Sequence, residues 1–316
     1  MLLYITKRIA AGVLLLLVVI TLIFVALHLV PGDPARTILS TAGSAPSEEA
    51  VAQLRAQLGL DLPLLQQYLR YVGGFLHGSL GTSLQDGTPV ATLIGQRLPR
   101  TLQLVAATTL LSSVAGMLLG TAAARRGGIW DRIVLAGTSL GVSIPSYVAA
   151  ILLVNLLAVK FRILPYGGYN DWSDGPRAFF TTLTLPALAL SVGFTSIVAR
   201  MTRSSYLESA QQEWVRTAQA IGLRAGAVSR RHILRNALTP VLTVTGLQMG
   251  GLLGGTIIVE RVFNWPGLSG LLIDGISYRD YPVVQGVVVV IAAFFILLNL
   301  IVDLLYGALD PRSRQV

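Results

Sequence analysis

The sequence contains no cysteine and little charge. Only 12% of its 316 residues are Asp, Glu, Lys or Arg, about half of the roughly 25% that is typical of soluble domains. Without thiols the chain can form neither a disulfide nor a thiolate metal site. Lysine occurs only at Lys7 and Lys160, and neither follows a glycine. This excludes the Gly-Lys pair with which a P-loop holds phosphate, so the chain carries no nucleotide site of that kind.

Enzyme-like groupings of residues are also scarce. The three histidines, His28, His77 and His232, lie far apart in the chain, and none belongs to an HExxH pattern. Ser143, in the stretch GVSIP, has no candidate base near it. We interpret its hydroxyl as bonding within or between helices. We therefore expect no catalytic site and no metal site.

Apolar residues are abundant, at 53% of the chain. About 20 mostly apolar residues form a helix long enough to cross the hydrocarbon core of a bilayer. The apolar runs predict six transmembrane helices, at about 9–30, 101–124, 133–159, 183–199, 238–259 and 283–306. The first run is longer than the apolar core of a signal peptide, so we interpret it as a retained span.

The distribution of basic residues predicts the orientation. Fourteen Lys and Arg residues fall at the termini and in the loops on one side of the six spans, and five fall in the short loops opposite. Short cytoplasmic loops carry the excess of positive charge. Both termini and the segment 200–236 are therefore predicted to be cytoplasmic, and 31–100 to be external. The net charge of +9 is explained by this bias, and no nucleic acid is expected as a partner.

The external segment contains two amphipathic patterns. Ser47 is a predicted N-cap and Gly59 a predicted helix terminator, and between them apolar residues recur at Val51, Leu54 and Leu58. The second pattern has apolar residues at Leu65, Tyr68, Leu69 and Val72. These short helices could pack against the chain's own spans, lie on the membrane surface or dock an external partner.

Small residues mark the fifth span, where Gly246, Gly250 and Gly254 recur at four-residue spacing. Such a face lets another helix approach closely. Packing within the chain and contact with a second subunit along a pathway are both consistent with it. The residues proposed for a pathway or for helix packing are Ser143, Pro145, Gln248, Gly250 and Gly254.

The cytoplasmic stretch EWVRTAQAIGL begins at Glu213. Val215, Ala218 and Ile221 or Gly222 fall on one side of a short helix, which Gly222 can end in the left-handed conformation. A second helix from about Ala225 would return the chain to the membrane. The segment is either a knob that fits a groove in another protein or a basic loop held at anionic headgroups.

The external stretch FNWPGLSG lies between the last two spans. Its tryptophan could anchor the chain at the membrane interface, where Trp is common. A gate or a contact with a binding protein is the other interpretation. The residues concerned are Phe263, Trp265, Pro266, Arg279 and Asp280.

Several stretches, in this order, resemble one family nearly end to end. They are PGDPA after the first span, LGLDLPLLQQYLRY, RLPRTLQL, EWVRTAQAIGL with RHILRNALTPVLT, VERVFNWPGLSGLL, RDYPVVQG and IVDLLYGALDPRSR. The family is the oligopeptide, dipeptide and nickel class of permease subunits of binding-protein-dependent ABC importers. The resemblance implies an all-α permease with six spans and the type I ABC importer fold.

The resemblance also implies function and partners. Such a permease would form a channel for peptides, or for nickel or another small solute, in the bacterial cytoplasmic (inner) membrane. It would pair with a second homologous permease and with two cytoplasmic ATPase subunits or domains, which would bind ATP and Mg²⁺. An extracytoplasmic solute-binding protein would deliver the substrate. Without the resemblance, a channel or ion-coupled transporter that acts alone stays open.

The family's cytoplasmic loop carries a motif in which glycine follows the second of two alanines by four residues. Its positions here read Arg216, Thr217, Ala218 and Gly222, and the proline of the motif's far half comes at Pro240 instead of at Arg235. The resemblance implies ATPase coupling for Glu213, Trp214, Val215, Arg216, Thr217, Ala218, Ala220, Gly222 and Leu223. We divide the chain into 1–96 (first span and external segment), 97–306 (transmembrane domain with the coupling loop at about 200–236) and 307–316 (cytoplasmic tail).

Overall fold

The computed structural model describes residues 2–29, 32–40 and 46–309. These residues form thirteen α-helices, and within them the only β-pairing is an isolated bridge between Thr82 and Pro89. The helices are α1 (Leu2–Leu29), α2 (Pro34–Ser40), α3 (Glu48–Leu58), α4 (Leu64–Leu76), α5 (Val90–Arg126), α6 (Gly128–Ser143), α7 (Ser146–Leu153), α8 (Pro176–Ala210), α9 (Glu213–Ala220), α10 (Ala225–Val228), α11 (Leu234–Val262), α12 (Leu268–Ser277) and α13 (Tyr281–Leu309).

Five helical stretches are long and apolar enough to cross a membrane: Thr6–Leu29, Val90–Arg126, Pro176–Ala210, Ala225–Val262 and Tyr281–Ile301. A sixth is a bent pair of helices. The predicted all-helical, multi-span class is therefore confirmed. The chain divides into two compact units, one formed by Met1–Arg100 with Pro266–Ile296 and the other by Thr101–Trp265 with Leu297–Val316.

The third predicted span is not one helix. Gly128–Ser143 and Ser146–Lys160 meet at an angle of 105°. Pro145 causes the break, because proline has no N–H to donate and disfavours helical geometry in the residue before it. Ile144 accordingly has φ −83° and ψ 117°, an extended conformation. The predicted span at 133–159 is therefore two helices that meet at a sharp bend, and six spans result when this pair is counted as one.

The fourth span is much longer than the predicted 183–199. α8 runs over 35 residues, and 67% of its apolar window is buried, against 28% for the windows of α5 and of Ala225–Val262. Pro186 lies inside α8 without ending it. Transmembrane helices tolerate proline when neighbours satisfy the freed backbone groups. α8 is thus the central helix of its unit, with α5, α6, α7 and α11 packed around it.

Two glycines let helices approach α8 closely. A Cβ on Gly120 of α5 would overlap the backbone of Ala199, and one on Gly141 of α6 would overlap the hydroxyl of Ser196. Close approach of small residues is how membrane helices gain packing energy, since lipid gives them no hydrophobic drive to associate.

The other unit has a core where three helices meet. Val90 and Ile94 at the start of α5 pack against Leu268 of α12 and against Val283 and Val287 of α13. The predicted boundary at 96/97 falls inside α5. The predicted tail at 307–316 includes only three described residues, which continue α13. Pro31 of the PGDPA stretch lies outside the described residues.

The two short external helices form as predicted. The Ser47 hydroxyl accepts a hydrogen bond from the Ala50 N–H at 3.2 Å, and Gly59 ends α3 with φ +70°. Leu65 and Leu69 of α4, however, are 68% and 59% exposed. The interpretation that this apolar face packs against the chain's own spans was wrong for these two residues, because the inward face of α4 is formed by aromatic side chains.

Candidate functional site

The predicted coupling segment forms a short helix, α9. Its buried residue Val215, called here the root of α9, packs against the rest of the protein. Val215 is 3% exposed and belongs to a cluster with Tyr206 at the end of α8 and with Val228, Ile233 and Ala237 at the start of the fifth span. Trp214 and Ala218 pack against the same cluster. These contacts attach α9 to the end of α8 and to the start of the fifth span.

A hydrogen bond supports this attachment. The hydroxyls of Tyr206 and Ser229 lie 2.7 Å apart and are buried. Ser229 begins a π-helical turn, Ser229–Ile233, which joins α10 to α11. π-Helical turns often occur at functional sites. The second helix predicted from about Ala225 is confirmed, and it continues through this turn into the fifth span.

The side of α9 that faces away from this cluster is exposed, as are the residues just after the helix. The side chains of Glu213, Arg216, Thr217 and Ala220 face solvent, and Ile221 and Leu223 beyond them are 72% and 43% exposed. Val215 and Ala218 fall on one side of α9, as predicted, but Ile221 does not join them in the cluster, because the helix ends at Ala220. Exposed apolar residues beside polar ones are typical of a surface that binds another protein.

Gly222 ends the helix in the predicted way. Its φ is +84°, its N–H donates to the Gln219 carbonyl at 3.0 Å, and the Leu223 N–H donates to the Ala218 carbonyl at 3.2 Å. These two bonds are a Schellman motif, in which glycine is favoured because a left-handed residue with a Cβ is strained. The motif orients Ile221 and Leu223 at the tip of α9.

Basic residues follow the tip. Arg230, Arg231, His232 and Arg235 are exposed around an open groove that also includes Asn236.

An ion pair joins α6 and α8. The Nε and Nη2 atoms of Arg203 in α8 both donate to the Asp131 carboxylate of α6, Nη2 at 2.7 Å. This bidentate pair restrains the loop between α5 and α6.

Two aromatic residues that follow α11 are buried inside their unit, whereas Asn264 between them is exposed. Phe263 and Trp265 are 0% and 2% exposed. The Gly168 N–H donates to the Phe263 carbonyl at 2.8 Å, and the ring of Tyr169 meets that of Trp265 edge to face at 4.9 Å. The interpretation of Trp265 as a lipid-interface anchor was wrong, because its ring packs against protein. Pro266 is half-buried.

Arg279 and Asp280 hold a turn before α13. The Asp280 carboxylate, 2% exposed, accepts hydrogen bonds from the Ser83 hydroxyl at 2.5 Å and from the Leu84 N–H at 3.1 Å. It also accepts from the Val283 N–H at 3.4 Å, as an N-cap does. Arg279 has φ +55° and its guanidinium lies against Gly32. The hydrogen bonds of Asp280 stabilise this turn, whereas Nη1 of Arg279 is buried without a hydrogen-bond partner among the described residues.

The candidates for a pathway are dispersed. The Ser143 hydroxyl donates to the Ser139 carbonyl at 2.9 Å, as predicted for bonding within a helix. Pro145 marks the break before α7. On α11, Gly250 is buried, Gln248 is half-buried, and Gly254 is exposed with open space beside it.

The stretch GTSLG at 137–141 has the Gly-x-Ser-x-Gly spacing of the nucleophile elbow of hydrolases. It lies within α6, however, and not in the strand–turn–helix that such an elbow requires.

Sequence reasoning missed Glu260. This acid is 1% exposed in α11, and its Oε1 accepts a hydrogen bond from the Thr101 hydroxyl at 2.7 Å. Acids within spans are expensive and usually have a specific partner. The sequence pattern could have indicated this residue, because Glu260 and Arg261 are charged residues at the end of the apolar run of the fifth span.

The helical fold with its long apolar spans defines an integral membrane protein, and the family comparisons identify its class. Residues 112–315 match the family described as "Binding-protein-dependent transport system inner membrane component", and residues 1–105 match its N-terminal counterpart, "Binding-prot-dependent transport system membrane comp, N-term". The chain belongs to this family. It is a multi-pass inner-membrane permease of a binding-protein-dependent ABC importer.

Curated relatives match over nearly their full length. The chain is 41% identical over 315 residues to the "Glutathione transport system permease protein GsiC" of Salmonella paratyphi A, with 99% of each chain covered. It is 39% identical over 312 residues to the "Probable peptide ABC transporter permease protein y4tP" of Sinorhizobium fredii, with 98% of this chain and 99% of the relative covered.

One solved structure shares the fold. It is described as "Crystal structure of an amino acid ABC transporter with histidines" and superposes with a TM-score of 0.50 at 17% identity. The match covers 70% of this chain and 94% of the other. At this identity the likeness concerns the fold alone.

Proposed function

We propose that this chain is the channel-forming permease of a peptide importer and that ATP hydrolysis in partner subunits drives it through α9. The observation that carries the proposal is the division of α9 into an exposed tip and a buried root. The tip presents Ile221 and Leu223. The root, Val215, lies among residues of α8 and of the helix that becomes the fifth span.

The mechanism follows from this division. ATP binding would close two ATPase subunits or domains on each other, and each would hold one permease by a groove that receives the tip. Motion of the groove would move Val215 together with Tyr206 and Ile233. Because protein cores are close-packed, such a displacement passes to the attached helices instead of being absorbed locally. ATP and Mg²⁺ would bind only in the partner subunits.

A second homologous permease completes the proposed channel. Gly251, Gly254 and Gly255 of α11 have open space beside them, and a small-residue face of this kind suits close contact with another helix. A solute-binding protein would deliver the substrate on the predicted external side.

Peptides are the proposed substrate because the relatives above are named for glutathione and for peptides. Nickel or another small solute is the alternative. The described residues contain no group of three or more His, Asp or Glu that could hold a metal ion. Proteoliposomes with the cognate binding protein and ATPases should accumulate labelled dipeptide or glutathione in competition with unlabelled peptide. Uptake of ⁶³Ni²⁺ instead would establish the alternative, and uptake without ATP would contradict the whole proposal.

Docking of α9 can be tested by cysteine cross-linking, since the chain has no cysteine. An Ala220→Cys variant should form a disulfide with a cysteine placed in the groove of the partner ATPase. Addition of ATP should change the yield of this disulfide. Ile163→Cys is the matched control, because Ile163 is 67% exposed in the same unit but distant in sequence from α9. Equal cross-linking of the two variants would exclude the proposed docking.

A further inference from the structure

The unit formed by Met1–Arg100 and Pro266–Ile296 contains a cavity to which the proposed coupling mechanism assigns no role. Its volume is about 450 Å³, within the range of roughly 300–1,000 Å³ of small-molecule sites. It lies among the end of α1, the helices α3 and α4, the segment 79–84 and the start of α13.

One wall of the cavity is apolar. Phe24, Leu58, Leu60, Leu62, Leu80 and Pro282 contribute to it. Phe24 stacks on Tyr71 with ring centroids 6.0 Å apart, and Phe75 meets the other side of Tyr71 edge to face at 4.9 Å. The Tyr71 ring is therefore held in one position.

Two polar side chains in the lining lack partners among the described residues. The Tyr71 hydroxyl is buried and forms no hydrogen bond with the described residues, which is unfavourable relative to a satisfied group. Burial raises the pKa of this phenol, so it stays a neutral donor. Gln285 is 6% exposed, lines the same cavity and has no hydrogen bond among these residues. The cavity thus contains hydrogen-bond donors that have no acceptor among the described residues.

The charge of the lining favours an anion. Its charged or titratable residues other than tyrosine are Arg70 and His28, with no Asp or Glu. The His28 ring nitrogens lie 2.8 Å from the Phe24 carbonyl and 3.2 Å from Gln67 Oε1. The Gln67 amide nitrogen is committed to the carbonyls of Leu60 and Leu62. The nearby Asp33 carboxylate, outside this lining, is paired with Arg55 at 2.7 Å.

The cavity is lined by residues from the ends of two candidate membrane spans. Phe24 and His28 are in the last two turns of the span Thr6–Leu29, and Tyr281 begins the span Tyr281–Ile301. On α4, Leu65 and Leu69 are exposed, as expected of a helix that lies in the membrane surface.

We propose that this cavity binds a single-chain amphiphilic carboxylate, with its apolar part against Phe24 and the leucines and its carboxylate near Arg70 and the Tyr71 hydroxyl. The carboxylate supplies the acceptor that Tyr71 and Gln285 lack. Such a molecule comes either from lipid, as a fatty acid, or from the transported solute, as a peptide with an apolar side chain.

The test uses the full importer complex in nanodiscs of neutral lipid and a dodecanoic acid that carries a photoreactive diazirine. Labelling should be saturable, should map to peptides that contain Phe24, Tyr71 or Gln285, and should fall when dodecanoate is added. Displacement by dodecanoate alone identifies lipid as the source. Displacement by leucyl-phenylalanine as well identifies the transported solute. Displacement by dodecanol as effective as by dodecanoate would refute recognition of an anion.

Matched variants separate binding from folding. Tyr71→Phe should raise the half-saturating concentration about fivefold and leave the melting temperature unchanged or higher, because the lost hydroxyl has no partner. Tyr68→Phe is the control three residues away: its hydroxyl bonds to Thr21 at 2.8 Å and does not line the cavity, so binding should not change. Arg70→Gln should weaken labelling by at least as much as Tyr71→Phe. Non-saturable labelling, or labelling that Tyr71→Phe leaves intact, would overturn the proposal.

Discussion

The tip of α9 was predicted from sequence to contact an ATPase, and for the loop at 263–265 a contact with a binding protein was one of the interpretations; the two regions differ in burial. Ile221 and Leu223 are 72% and 43% exposed, whereas Phe263 and Trp265 are almost completely buried. The first region is available to another protein. In the second, the aromatic side chains hold the chain's own loops together. Stretches that resemble the same family can therefore differ: one leaves apolar side chains accessible to another protein, and the other buries them within the chain.

The physical basis of the difference is what each segment can bury by itself. α9 has eight residues, too few to be stable alone, so one side must pack on the protein and the other is left free. The loop at 263–265 instead pairs with residues 167–169 through a backbone hydrogen bond and an aromatic contact. Little of it remains for a partner. The predictions below test this contrast.

The largest effect is expected at Trp265. Trp265→Ala removes a buried ring from its contact with Tyr169 and should lower the free energy of unfolding by about 3–5 kcal/mol. Thermal unfolding of the purified chain in detergent would show this as a lower melting temperature. Trp172→Ala is the control, because Trp172 is 55% exposed. If the two variants melt alike, Trp265 is not the internal contact described above.

A smaller loss is expected at Asp280. Asp280→Asn keeps the size of the side chain but removes its charge, and with it the charge-assisted bonds from Ser83 and Leu84. Hydrogen bonds to charged groups contribute about 1.5–3 kcal/mol each, and asparagine retains part of this. We expect a loss of about 1–3 kcal/mol. Asp86→Asn in the exposed turn nearby should change the melting temperature less. Equal shifts would show that burial of Asp280 does not matter.

The smallest effect on stability, with the largest on coupling, is expected at Ile221. Ile221→Asp changes an exposed side chain and should alter the free energy of unfolding by no more than about 0.5 kcal/mol. A charge at the tip should nevertheless block docking. ATPase activity stimulated by the loaded binding protein should fall at least fivefold in the reconstituted complex. Ile163→Asp should leave it unchanged. Normal stimulation in Ile221→Asp would remove the tip from the coupling mechanism.

Sequence patterns predicted the local features well. The caps at Ser47 and Gly59, the end of α9 at Gly222 and the return helix from Ala225 all follow from residue types with strong conformational preferences. The break at Pro145 was missed because the flanking residues are as apolar as those of an uninterrupted span. The length of α8 was underestimated because hydropathy measures composition, and its ends are polar residues that a long helix still includes.

The composition alone determined that this is a helical membrane protein: a bilayer offers backbone groups no water, so long apolar runs must form helices. The order of motifs indicated the importer family. Only the tertiary structure decided which motif residues are free. Val215 is buried and Ile221 exposed although both are apolar and lie close in sequence, because burial depends on which neighbours the fold brings to each side chain. Likewise, only the structure shows that the buried Tyr71 hydroxyl has no hydrogen-bond partner among the described residues.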